Sequence, residues 1–300
     1  NTAGELRIGA GSSIISAVQT KQQVIVITDI AVYAMQYIGP PYTFGINEVS
    51  SNISIAGPNA AIATGDVVYW MGIGQFYTYN GTVSMMPCSV REYVFSDINI
   101  YQLDKVTASS NTKFSEIWWF YPSAESNNND KYVVFNYTEN TWYYGTMART
   151  AWQDTAVSGF PIAAANDGYL YFQEYGINDL SGNAAAPINA YIESSAIDIA
   201  EGDQFMFVSR IIPDITFRNS TTDPLATFTL KARNYPGGSY FGTSNNEVVR
   251  TATVPVQQFT EQSFIRVRGR SVALRVESNQ VNTAWRLGSP RIDVRPDGKR

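Results

Sequence analysis

The residues from 112 to 145, TKFSEIWWFYPSAESNNNDKYVVFNYTENTWYYG, constrain the fold more than any other stretch of the chain. IWWFY (117–121) is a short aromatic and β-branched run, suited to a pleated, half-buried surface. Pro122 and a polar loop over 123–130 close it, and YVVFNY (132–137) follows as a second run. A tight turn at Thr138, Glu139 and Asn140 then leads into TWYY (141–144), ended by Gly145. Strand, polar loop, strand, tight turn, strand is most of one antiparallel sheet.

The pattern recurs along the chain. Gly65 and Asp66 precede VVYWM (67–71), and QFYTY (75–79) passes through Asn80-Gly81, a strong hairpin signal, into TVSM (82–85). Upstream, 23–28 and 31–37 pair around Asp29, and downstream Asn166-Asp167-Gly168 opens YLYF (169–172). Taking Asp29, Asp66, Glu116 and Asp167 as equivalent acidic turn residues gives spacings of 37, 50 and 51. Repeats of this length, each with several short strands, point to a β-propeller.

Between the second and third units, SVREYVFSDINIYQLDK (89–105) carries apolar residues at helical spacing, with Ser89 and Asp97 as expected N-caps. It reads as two short helices. The segment 47–59 reads as a loop plus an edge strand, 146–160 as a connection, and 160–175 as a last, partial unit. GINDLSGNAAAP (176–187) is small and polar, the composition of a domain boundary. Beyond it, 188–194, 204–216, 225–232, 248–256, 263–267, 272–277 and 284–287 read as strands, with a turn at Pro236-Gly237-Gly238 and a peripheral strand in the tail. The expected fold is therefore all-β: a partial propeller of about three to four blades with two short helices over 1–180, then an antiparallel β-sandwich or barrel over 181–300.

Composition narrows the function. Charged residues make up 16% of 300, low for a small soluble monomer, which suggests surface covered by a partner or by copies of the chain. A net charge of −5 argues against gripping nucleic acid by phosphate neutralisation. The start lacks the basic and apolar regions of a signal peptide, and residue 1 is Asn, so a processed product or part of a longer polypeptide is expected. Asn-x-Ser/Thr at Asn52, Asn80, Asn136 and Asn219 is near chance in so polar a chain.

There is no histidine, which removes Ser-His-Asp and Cys-His catalysis and the usual zinc sites. Cys88, the only cysteine, then reads as a small buried hydrophobe. Paired carboxylates are the remaining catalytic route, with Asp66, Glu116, Asp167 and Glu174 as candidates. Three of these sit at the repeated turn, where acidic side chains most often bond their own backbone, so the structural reading is preferred. Trp118, Trp119 and Trp142 could stack on sugars but fall in strand patterns and read as core. In FIRVRGR (264–270), period two puts Arg266, Arg268 and Arg270 on one side of a strand, with Arg275 nearby. A solvated face, a subunit interface where guanidinium forks meet carboxylates, and a phosphate contact are the three readings. The subunit interface is the expectation carried forward. No catalytic residue, metal or cofactor is expected.

Several strings carry a resemblance: TKQQVIVITDIAVYAMQYIGPPYTFG (20–45), EIWWFYPS (116–123), YTENTWYYGTMARTAW (137–152), GDQFMFVSRIIPDITF (202–217), LKARNYPGGSY (230–240) and WRLGSPRIDVRPDGKR (285–300). They resemble the tail nozzle proteins of short-tailed bacteriophages, the tail tubular protein B or packaged-DNA stabilisation type. The resemblance implies a non-enzymatic virion structural protein whose copies form a ring, a hexamer, below the portal and adaptor. Tail fibre or spike proteins would be further partners. Genomic DNA would leave through the lumen without sequence-specific binding, and the remaining blades would lie upstream of this chain. A propeller glycosidase or depolymerase, or a glycan-binding spike domain, is the alternative that the carboxylates and tryptophans keep open.

Overall fold

A computed structural model of the chain describes residues 4–299, apart from 156, 158, 222, 236, 239 and 241–249. The chain divides into two compact units, Asn1–Tyr175 and Gly176–Arg300, which part at the head of the polar linker.

The first unit is a succession of antiparallel meanders. β1 (Ile14–Gln19), β2 (Gln23–Thr28), β3 (Ala31–Gly39) and β4 (Thr43–Ser51) form one sheet in sequence order. A second holds β5 (Ala61–Thr64), β6 (Val67–Met71), β7 (Phe76–Tyr79) and β8 (Val83–Met85). The helix α1 (Arg91–Asp97) and a 3₁₀ turn (Ile100–Lys105) follow. The third sheet is β9 (Thr107–Asn111), β10 (Glu116–Tyr121), β11 (Lys131–Asn136) and β12 (Thr141–Thr146). The fourth has three strands, β13 (Ala151–Gln153), β14 (Ile162–Ala164) and β15 (Leu170–Phe172). The first strands touch in succession, β1 to β5, β5 to β9 and β9 to β13. Sheets that meet through their innermost strands, about 45 residues apart in sequence, are the blades of a partial propeller.

Four details correct the sequence reading. The acidic residues are not equivalent: Asp29 and Asp167 sit in the second turn of their blades, Asp66 lies in the first, and Glu116 opens β10. Acidic side chains suit any turn that offers free N–H groups, so a shared residue type did not mark a shared position. The 47–59 segment begins inside β4, and the 146–160 connection contains β13. The expected caps differ too. α1 starts at Val90 without a side-chain cap, and the 3₁₀ turn is capped by Asn99, whose oxygen accepts from the Tyr101 N–H at 3.1 Å.

Blade packing explains why IWWFY is continuously apolar. Ile117, Trp119 and Tyr121 enter one core with Trp70 and Phe76 of the second blade, and the Trp119 indole donates to the Ala60 carbonyl at 3.1 Å. Trp118 and Phe120 point the other way, onto Trp152 of the fourth blade. A strand covered on both faces has no polar side to alternate with.

The second unit contains β16 (Ala190–Glu193), β17 (Ile197–Asp198), β18 (Met206–Ile212), β19 (Ile215–Thr216) and β20 (Leu225–Arg233), then β21 (Arg250–Gln257), β22 (Ser263–Gly269), β23 (Ser271–Ser278), β24 (Arg286–Leu287) and β25 (Arg291–Pro296). One sheet runs β16-β23-β20-β21, with β17 also on β23, and a second runs β22-β18-β25. Phe228, Leu230 and Val276 from the first pack against Met206, Val208, Ile211 and Val267 from the second. Neither sheet closes on itself, so this is a sandwich and not a barrel. The first two positions of the expected 248–256 strand, and Pro236 of the expected turn, lie outside the described residues.

Candidate functional site

Of the four candidate carboxylates, the fold brings two together. Asn111 ends β9 and Glu116 begins β10, and the 3₁₀ turn Thr112–Phe114 with a left-handed Ser115 (φ 61°) folds the chain back so that they pair across the strands. Glu116 is held from three sides. Its Oε1 accepts from the Tyr143 hydroxyl at 2.6 Å, and its Oε2 accepts from the Trp118 indole at 2.9 Å and from Asn111 Nδ2 at 3.4 Å. Tyr143 arrives from β12 because the register sets Trp118 opposite Val134 and Val134 opposite Tyr143.

The same Asn111 Nδ2 donates to Glu174 Oε1 at 3.4 Å. Glu174 follows β15 and has a left-handed backbone, φ 56°. One shared donor puts oxygens of the two carboxylates no more than about 7 Å apart. Asn111 is fully buried, and its Oδ1 has no hydrogen-bond partner among the described residues. Desolvation, then the nearby Glu116 charge, raises the Glu174 carboxyl above its ordinary range, with Lys113 opposing. Desolvation and the bond to Glu116 push the Tyr143 phenol up. Asp154 closes the cluster by accepting from the Ser110 hydroxyl at 3.0 Å and the Thr112 N–H at 3.1 Å.

The other candidates lie elsewhere. Asp66 is exposed in the β5–β6 turn. Asp167 caps its own turn, accepting from the Tyr169 N–H at 3.0 Å and the Tyr171 hydroxyl at 2.6 Å, and the Tyr171 bond lowers its pKa. Cys88 is half-buried, and desolvation pushes its thiol up to about 11, so it stays protonated at neutral pH. Trp118 and Trp119 are buried, and Trp142 donates to the Pro87 carbonyl at 2.8 Å. Among the described residues, no group of three or more His, Cys, Asp or Glu is placed to hold a metal ion.

Three of the four arginines find partners within their own chain. Arg268 pairs with Asp297 and lies 4.2 Å from the centre of the Phe205 ring. Arg270 lies over the same ring at 4.7 Å and donates to the carbonyls of Gly202, Asp203 and Lys299. Arg275 bonds Glu193 at 3.1 Å and Glu277 at 2.7 Å, above the Tyr191 ring. Arg266 is exposed. Asn111 and Tyr143 are not among the residues that the sequence singles out. Period two would place Tyr143 on the Trp118 side of its sheet, whereas a single Asn at a strand end carries no signal.

No family model matches the chain, and no curated protein matches it. Among solved structures, it is similar to the extracellular domain of a protein assigned as a one component system of B. thetaiotaomicron. The match has a TM-score of 0.36 and 9% identity, and covers 66% of this chain and 26% of that one. A likeness this slight carries nothing about function.

Proposed function

We propose that this chain is a structural subunit of a short-tailed phage tail, of the nozzle type, working without enzymatic chemistry in a ring around the DNA exit channel. One observation supports it most. The blade stack ends on an uncovered apolar face: Leu170 and Phe172 of β15 are exposed on the side opposite Trp152, with Tyr175 exposed beside them. Faces of this kind suit a protein that works inside an assembly. The strings that resemble nozzle proteins and the low charge content favour the same reading.

Electron microscopy of the protein mixed with portal and adaptor tests it. Class averages of a closed ring with a central hole are the expected result. A second reading, a glycan-cleaving tail enzyme, is favoured by the Glu116–Glu174 pair alone. Monomers or trimers that release reducing ends from host polysaccharide, with loss of release in Glu116→Gln, would replace the first reading with the second.

A further inference from the structure

We propose that the tip of the β3–β4 hairpin is a lipid-contacting element, one that enters the headgroup region of a bilayer. β2 follows β3 only as far as the Gln23–Gln36 pair. Beyond it the β3–β4 ribbon continues alone, with Tyr37 opposite Phe44 and Gly39 opposite Thr43. Four large apolar side chains stand in solvent there: Tyr37 (66% exposed), Ile38 (51%), Tyr42 (79%) and Phe44 (46%). Tyr37 and Phe44 meet edge to face, ring centres 6.0 Å apart. Ile38 lies against Gly45, where an added methyl would come within 3.3 Å of it. Aromatic contact and aliphatic contact together leave the ribbon apolar on both faces, and burying one of them would still expose the other.

Several features favour lipid over a protein partner. No Asp, Glu, Lys or Arg lies between Asp29 and Glu48, so insertion desolvates no charge. Pro40 and Pro41 at the turn carry no N–H, which removes two donors that would otherwise be stranded in an apolar medium. Four residues a side, rising about 3.3 Å each, reach about 13 Å, enough for the roughly 5–10 Å depth of interfacial elements. A protein interface of ordinary size draws on about 20–30 residues a side, far more than this ribbon offers, and a convex tip has no concavity to complete. Lipid demands no shape complementarity, and tyrosine suits the headgroup level, with its ring in the acyl region and its hydroxyl in water.

The inference does not depend on the chain being a tail component. The test is flotation of the full chain with neutral phosphatidylcholine vesicles, and with the same vesicles containing phosphatidylglycerol. The expected result is binding to both, reduced about tenfold or more in the double variant Ile38→Asp, Tyr42→Asp. Tyr101→Asp, at an equally exposed tyrosine on the 3₁₀ turn, should bind as the native chain does. Tyr42→Ser serves as a second, milder variant with a smaller loss expected. Absence of binding to neutral vesicles overturns the proposal, as does binding that the double variant leaves intact. Self-association in light scattering that the double variant abolishes, without vesicle binding, would assign the tip to a second copy of the chain instead.

Discussion

Asn111 shows how much one side chain can organise. Its single amide nitrogen serves two carboxylates, and desolvation, then the Glu116 charge, raises the pKa of Glu174, the member without further donors described. A carboxyl whose folded pKa is raised takes up its proton more readily in the native state than in the unfolded chain. Its contribution to stability is therefore fully present below the ordinary value of 4.5 and is lost as pH rises through the folded value. Glu174→Gln should leave stability near that of the native chain in acid and raise it at neutral pH. Because solvent reaches Glu174, the gain should be at most about 1 kcal/mol. Urea denaturation at both pH values reads it, and an equal difference at the two would refute the account. Gly145 is a second control point. The Tyr132 ring lies so close over it that an added methyl would collide with the ring and hydroxyl. Gly145→Ala should cost about 1–3 kcal/mol, and unchanged thermal unfolding would show that the ring swings away freely.

Among the elements, the legible strands and the hidden ones differ in one physical respect. β10, β11 and β12 stand out because they supply the large aromatics that fill the space between blades. The innermost strands β5 (AIAT), β9 (TASSN) and β13 (AWQ) leave little trace, since each is short and interrupts its β-branched or aromatic residues with Ala, Ser, Asn or Gln. Helix α1 was legible from its apolar spacing, yet its cap was not, because packing of Val94 and not a side-chain hydrogen bond holds it. β10 gives the sharpest test of the blade-to-blade core. Trp119→Ala removes a fully buried indole that packs between the second and third blades, together with its hydrogen bond to the Ala60 carbonyl. A loss of about 3–5 kcal/mol is expected in equilibrium denaturation. A loss below about 1 kcal/mol would mean that the blades do not share a core.

At the scale of the molecule, the two units have separate cores, one built from the blades and one between the sandwich sheets. The segment joining them is mostly exposed, with Ala184, Ala185 and Ala186 in it. Limited elastase digestion should cut there first, leaving two fragments that resist further digestion. Early cuts inside the blades would argue against the division. Legible along the chain alone are the all-β class, the strands that bury aromatics, the linker and the lack of histidine. These are local properties, set by side-chain volume, alternation and turn residues. The three-dimensional packing of the blades is what brought Glu116 and Glu174 to one shared donor while Asp66 and Asp167 stay apart. Tertiary folding also decided that Arg268 and Arg270 embrace Phe205 and the carboxy-terminal segment. Such meetings depend on which strand ends converge, and distance along the chain carries no record of that.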